Sequence, residues 1–189
     1  MSKMPLAIEA AQLIDRLDRF TRSDEVRHGL SPAQWEALRY LSRANRFSRT
    51  PAALADYLGT TRGTVSQSLI SLEEKGHIAR TQSSRDKRSV DLSLTSQGHA
   101  ALAEDPLVRL AADIAASRSA DLASVVTLLR DALVRAVARN GAKPFGVCRT
   151  CRHFEATSRS QCGYARCALL GEPLSKDDSL AICAEQELA

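Results

Sequence analysis

Residues 50–98 read TPAALADYLGTTRGTVSQSLISLEEKGHIARTQSSRDKRSVDLSLTSQG. Thr50-Pro51 pairs a helix-capping side chain with a proline at the first helical position. Leu54 and Leu58 give the short helix that follows one apolar face, and Gly59 stops it. Thr60 or Thr61 then caps a second helix, in which Val65, Leu69 and Leu72 recur at i, i+4 and i+7 as one buried stripe. The other residues of its first turns, Thr61, Arg62, Gly63, Thr64, Ser66 and Gln67, are small or polar. A helix that enters a DNA major groove needs such a face, rich in donors and short of bulk. Gly76 ends this helix, and a two-stranded ribbon follows. Ile78 opens one arm. Val90, Leu92 and Leu94 alternate on the other with the period of a half-buried strand. Between the arms, SSRDKRS puts Arg85, Lys87 and Arg88 at the tip. A charged turn is ordinarily a solvated loop, but directly after a helix-turn-helix it can reach phosphates or the adjacent minor groove. Asp86 is acidic amid these bases and is expected to hold Arg88 or Arg62 through a bidentate pair.

These motifs resemble the winged helix-turn-helix of the MarR transcriptional regulators. The likeness rests on the LA…L…TVS…LEEKG helices, on Asp86-Lys87-Arg88 as a D-x-R wing, and on Leu94-Thr95 with Gly98 as the L-T-x-x-G exit. It covers roughly residues 30–100. The resemblance implies a dimeric DNA-binding regulator, usually a repressor that responds to a ligand or an oxidant, in which Asp86 and Arg88 act together. The expected contacts with double-stranded DNA are Thr60, Thr61, Arg62, Gly63, Thr64, Ser66 and Gln67 from the recognition helix, with Arg85, Asp86, Lys87 and Arg88 from the wing.

The expected fold is mainly α with a small β-wing: a winged helix-turn-helix with flanking dimerisation helices and a cysteine-rich, metal-binding extension. Residues 1–140 would form the DNA-binding and dimerisation domain, with its DNA-binding core at 50–98, and residues 141–189 the tail. Leu6, Ala10, Leu13, Ile14, Leu17 and Phe20 share one face of a helix over 5–22. Ser31-Pro32 caps a helix over 31–45 carrying Trp35, Leu38 and Leu41. A third helix is predicted over about 96–117, with Leu102, Leu107, Leu110 and Ile114, and a fourth over about 119–139, with Leu122, Val125, Val126, Leu129, Leu133 and Val137. The stripes of the first and last need a partner, because a lone amphipathic helix buries nothing. Packing within one chain and pairing across a two-fold axis both supply one. The resemblance favours the second, and a homodimer would read a pseudo-palindromic operator.

Composition agrees with a local DNA-binding patch. The 189 residues carry a formal net charge of +4, mildly basic rather than polycationic. Aromatic residues are 4% of the chain, too few for the stacking platforms of single-strand or RNA binders. No apolar run reaches the roughly 18 residues of a membrane span, and the N-terminus lacks the pattern of a signal peptide, so the expected location is the cytoplasm. No Gly-rich phosphate loop, Ser/His/Asp arrangement or H-E-x-x-H motif points to an enzyme. A winged helix used only for protein interaction is the competing class.

All five cysteines, Cys148, Cys151, Cys162, Cys167 and Cys183, fall beyond Asn140-Gly141-Ala142-Lys143-Pro144, where glycine and proline end the last predicted helix. From 141 to 189 six basic residues balance six acidic ones, so the tail is no second DNA-binding arm. A reducing cytosol disfavours constitutive disulfides. A cluster this confined points to a metal, with Cys148, Cys151, Cys167 and Cys183 as ligands and Cys162 and His153 as further candidates. The order C-x2-C-x15-C-x15-C resembles the cluster loops of high-potential iron–sulfur proteins, which implies an iron–sulfur cofactor of the 4Fe–4S type; few of the aromatic residues usual around such a cluster are nearby. The alternative is a structural zinc site in a regulator that answers to a small-molecule effector. His28, His77 and His99 read as ordinary surface or helix-end residues. Because the tail directly follows the last helix, its cluster is expected beside the dimerisation helices, where a change of state would alter wing spacing.

Overall fold

The computed structural model describes residues 3–27, 29–83, 87–117, 121–156 and 165–187. The helices are α1 (Met4–Arg27), α2 (Pro32–Arg43), α3 (Pro51–Leu58), α4 (Arg62–Glu74), α5 (Ser96–Ala103), α6 (Pro106–Ala115) and α7 (Leu122–Arg139). Strands β1 (Ile78–Gln82) and β2 (Val90–Leu94) form an antiparallel ribbon in which Ile78 faces Leu94 and Gln82 faces Val90. The helix-turn-helix and the wing therefore stand where the sequence puts them.

The core forms where the predicted apolar stripes meet. Trp35, Leu38 and Leu41 of α2, Leu54 of α3, Val65, Leu69 and Leu72 of α4, and Ile78 and Leu92 of the ribbon are all buried in one cluster. Leu58, expected on the same face as Leu54, packs partly buried against it. Local chemistry fixes the ends. Thr50 accepts a hydrogen bond from Ala53 N, and Gly59 closes α3 at a φ of 61°. Ser31 and Gln34 form a reciprocal capping box at the start of α2.

The expected helix over 96–117 is two helices. Asp105 caps α6 by accepting from Leu107 N at 2.9 Å, and Pro106 stands at its first position. Proline lacks the N–H that a continuous helix would need there, and its ring clashes with the carbonyl four residues back. The first helix is also longer than expected, running to Arg27 before Gly29 turns the chain at a φ of 74°.

The L-T-x-x-G exit has a packing reason. Thr95 Oγ1 donates to Gly76 O at 2.6 Å and accepts from Gly98 N at 3.1 Å. A Cβ on Gly98 would press into the His77 carbonyl oxygen and lie 3.2 Å from Leu94 Cδ2. Gly98→Ala should therefore lower stability by about 1–3 kcal/mol through overpacking, read from the urea midpoint.

The described residues of the tail form short strands and a helix docked on the body. They comprise β3 (Gly146–Val147), a turn of 3₁₀ helix (Cys148–Thr150), β4 (Phe154–Ala156), β5 (Ala165–Cys167), β6 (Glu172–Leu174), α8 (Lys176–Leu180) and β7 (Ile182–Cys183). Strands β4, β5 and β6 make one small antiparallel sheet, and β3 pairs with β7. The expected position beside the dimerisation helices is not found. The tail packs instead on the α2–α3 turn. Ile182 and Ala184 enter the main core. Asn45 N donates to Ile182 O at 2.8 Å, and Phe145 meets the rings of Tyr40 and Tyr57 at centroid distances of 6.4 and 5.2 Å. Gly141, at a φ of 60°, turns the chain after α7.

Helix α7 buries none of its residues. Leu128, Leu133 and Val134 are 60–63% exposed, and on α1 Leu6, Leu13, Ile14 and Phe20 also face outward. Among the described residues no helix is long and apolar enough to cross a membrane.

Candidate nucleic-acid interface and the cysteine tail

Thr61, not Thr60, caps α4, and its side chain accepts from Thr64 N at 3.2 Å. The two hydroxyl oxygens, Thr61 Oγ1 and Thr64 Oγ1, lie 2.9 Å apart, so these side chains also hold the helix start. Thr60, Thr61, Arg62, Gly63, Thr64 and Gln67 are exposed and Ser66 is half-buried, while Val65 between them is buried. A Cβ on Gly63 would meet only Thr61 Oγ1, at 3.8 Å. Nothing inside the chain demands glycine there. The positive end of the helix dipole and its unpaired N–H groups open on the same surface, which suits an anion.

The ribbon is tied to the helices at its base. Arg80 Nη1 of β1 lies 3.7 Å from Glu73 Oε2 at the end of α4. Leu92 N donates to Arg49 O at 2.7 Å, tying β2 to the segment before α3. At the tip, Ser83 N donates to Ser89 O at 3.0 Å and Gln82 Nε2 to Lys87 O at 2.8 Å. Lys87 and Arg88 are exposed. Arg85 and Asp86, and with them the expected pairing of Asp86 with Arg88 or Arg62, lie outside the described residues, as does His28.

Two polar clusters that sequence reasoning missed tie α2 to its neighbours. Gln34 Nε2 donates to Ser71 Oγ of α4 at 2.9 Å, and Lys75 Nζ donates to Gly29 O at 2.8 Å and Gln34 Oε1 at 3.2 Å. The S-P-x-Q order at Ser31–Gln34 was the available signal for the first. In the second, Arg39 of α2 makes a bidentate pair with Asp105, at 2.8 and 2.5 Å, and meets Glu25 of α1 at 2.6 Å. Burial works against the Arg39 charge, but hydrogen bonds to Asp105 and Glu25 outweigh it and push its pKa above the usual value. Arg39 also lies over the Trp35 ring, 5.6 Å from its centroid. This node joins α1, α2 and the α5–α6 junction.

In the tail the structure brings some of the expected ligands together. Cys148 and Cys183 are buried in one apolar cluster with Ala165 and Leu174, and Cys167 and Phe154 pack against it. Asn45 Nδ2 donates to Cys148 Sγ at 3.2 Å. A hydrogen bond from Cys148 pulls the Cys183 thiol down to about 6 against the effect of its burial, helped by Glu185 N, Asn45 and Ser48. The same bond, with burial, pushes Cys148 up. Cys151 Sγ stands apart and accepts from Glu187 N at 3.5 Å. His153 Nε2 lies 3.6 Å from Glu187 Oε1. Cys148, Cys151, Cys167 and Cys183 are all free thiols. Among the described residues no three His, Cys, Asp or Glu side chains converge closely enough to hold a metal ion. Cys162 lies outside the described residues.

Comparison with known proteins agrees with this geometry. A model of the MarR family matches residues 28–89. No curated protein matches the chain by sequence. Among solved structures, the chain is similar to the transcriptional regulator BldR from Sulfolobus solfataricus, at 21% identity over 71% of this chain and 99% of that one, with a TM-score of 0.55. A MarR transcriptional regulator from Methanosarcina mazei shares 18% identity over 69% and 96%, at 0.55. A mutant of MarR from E. coli shares 24% over 68% and 96%, at 0.53. At these identities the likeness is one of fold. The chain thus folds as a winged helix-turn-helix like that of these regulators, with its MarR-family match on the segment from residue 28 to the wing.

Proposed function

We propose that the chain is a transcriptional regulator of the MarR family, a repressor that binds a pseudo-palindromic operator as a homodimer. The observation that carries this reading is the exposed polar start of α4, followed in the same winged unit by the exposed cations Lys87 and Arg88. Thr60, Thr61, Arg62, Gly63, Thr64, Ser66 and Gln67 would face base edges and nearby phosphates. Arg85, Lys87 and Arg88 would clamp the backbone, with Asp86 orienting a neighbouring arginine. The bare apolar faces of α1 and α7 supply the two-fold contact.

Two substitutions on α4 test this. Arg62→Ala should weaken duplex binding, by about 1–3 kcal/mol if Arg62 reads a guanine. Gly63→Ala should raise helix stability by about 1 kcal/mol or less and still weaken binding, because its methyl group would stand between helix and DNA. Fluorescence anisotropy with a labelled duplex reads the affinity, and thermal melting reads the stability. Unchanged affinity in both variants would favour a winged helix used for protein interaction.

The tail reading is a thiolate metal centre on Cys148, Cys151, Cys167 and Cys183, with a 4Fe–4S cluster preferred and zinc as the alternative. Its donor set suits either metal, since soft thiolates select zinc and iron–sulfur centres. The N–H groups of Asn45 and Glu187 directed at sulfur resemble the outer partners that tune such sites. Loading would require Cys151 and Cys167 to close on the Cys148–Cys183 pair. Metal and acid-labile sulfide content of protein purified without air decides between them. About four irons and four sulfides per chain are expected. One zinc and no colour would make the tail a structural clip and shift the signal to a small-molecule effector. Metal-free, fully active protein would end the metal reading.

A further inference from the structure

We infer that the Cys148–Cys183 pair controls the helix-turn-helix within its own chain, through the α2–α3 turn that Asn45 and Ser48 hold against the two thiols. This deepens the DNA-binding reading above and rests on it. It replaces a signal passed through dimer spacing with one passed through a few residues of a single subunit.

The turn from Ala44 to Arg49 touches both ends of the path. On the tail side, Asn45 is 1% exposed. Its Nδ2 donates to Cys148 Sγ, its N to Ile182 O, and its Oδ1 accepts from Phe47 N at 3.1 Å. Ser48, equally buried, accepts at 2.8 Å from the N–H of Ala184, the residue that follows Cys183. Arg46 adds a grip at the rim, with Nη1 2.8 Å from Asp178 Oδ2 and Nη2 donating to Pro173 O at 2.7 Å. On the DNA side, Arg49 O accepts from Leu92 N of the wing, Arg49 Nε donates to Ala44 O at 3.0 Å, and Thr50 caps α3 directly. Tyr40 closes the loop by donating to Ser48 O at 2.7 Å.

A buried amide donor whose sulfur acceptor is taken away or changed must find another partner. Asn45 cannot do so without moving, because its other polar atoms hold the turn. Interiors packed to this density shift in discrete steps rather than yielding smoothly. A change at the thiols therefore displaces the turn, and with it the start of α3 and the base of β2. Asn45 and Ser48 are positioning residues here; they touch no DNA.

Linkage supplies a test that needs no knowledge of the natural signal. If opening of the buried thiol pair alters DNA affinity, bound DNA must shift that opening equilibrium by the same factor, and labelling that is slow relative to reclosing reads the equilibrium. The full chain is incubated with a duplex recovered from a random pool, and iodoacetamide labelling of Cys148 and Cys183 is followed by peptide mass spectrometry. Saturating duplex should change the labelling rate of both by at least about 5-fold, the lower range of allosteric coupling. In Asn45→Ala/Ser48→Ala protein that still binds the duplex, the ratio should fall towards one. Hydrogen exchange of residues 44–50 in the unsubstituted chain, with and without duplex, should show the same response and does not depend on the variant folding. A bound duplex that leaves labelling and exchange unchanged overturns the inference alone, as does a double variant that keeps the full shift. Failure of the chain to bind any duplex overturns the DNA-binding reading and this inference with it.

Discussion

Arg39→Ala is expected to lower the unfolding free energy by about 3–5 kcal/mol, the cost of leaving buried charge without its partner. The partners, Glu25 and Asp105, have side chains only 3% and 7% exposed, and that of Arg39 is 18% exposed. Removing the guanidinium would leave two carboxylates facing each other in a site that already holds an unbonded Glu25 oxygen. Asp105 would also keep its capping bond to Leu107 N without the cation that orients it. Replacing all three residues with apolar ones of similar volume should cost much less, because no unpaired charge remains. Urea unfolding of the single and triple variants checks both statements. A single variant within about 0.5 kcal/mol of the parent, the range of ordinary surface substitutions, would show that the node contributes little.

Leu129→Glu with Leu133→Glu on α7 is expected to convert the protein to monomers and to reduce operator affinity by about 100-fold or more. Both leucines are exposed in the single chain, so charge there costs the subunit little. Across a two-fold interface the same charges would be buried against their own copies. Losing the dimer loses the second half-site, and linked binding is worth about 10²–10⁴ over one site alone. Sedimentation gives the oligomeric state, and anisotropy with whole and half operators gives the affinity. A variant that stays dimeric would place the interface elsewhere, for example on α1.

What could be read from the chain depended on how local the determining interactions were. Val65, Leu69 and Leu72 declare α4 by their spacing, and all three are buried. The alternation of Val90, Leu92 and Leu94 declares a strand that is found at that register. Asp105-Pro106 was an available break in the predicted 96–117 helix, masked by apolar residues continuing on both sides. The Arg39 node was not legible, because its bonds span 14 and 66 positions and no periodicity reports such pairs. Neither was the docking of the tail. Asn45 and Cys148 are 103 residues apart, and chain order alone put the tail near α7. Cysteine spacing singled out Cys148, Cys167 and Cys183, which fall in or against one cluster, while their arrangement depends on which face of the body the tail meets.

DNA reading is tested most directly by selecting duplexes from a random pool with the 189-residue chain and sequencing those retained. DNA reading by α4 and the wing predicts an enriched near-palindrome with half-sites about 10–10.5 base pairs apart, and loss of enrichment with Arg62→Ala. A pool that stays random, or enrichment that survives unchanged in Arg62→Ala and Lys87→Ala/Arg88→Ala, would contradict it.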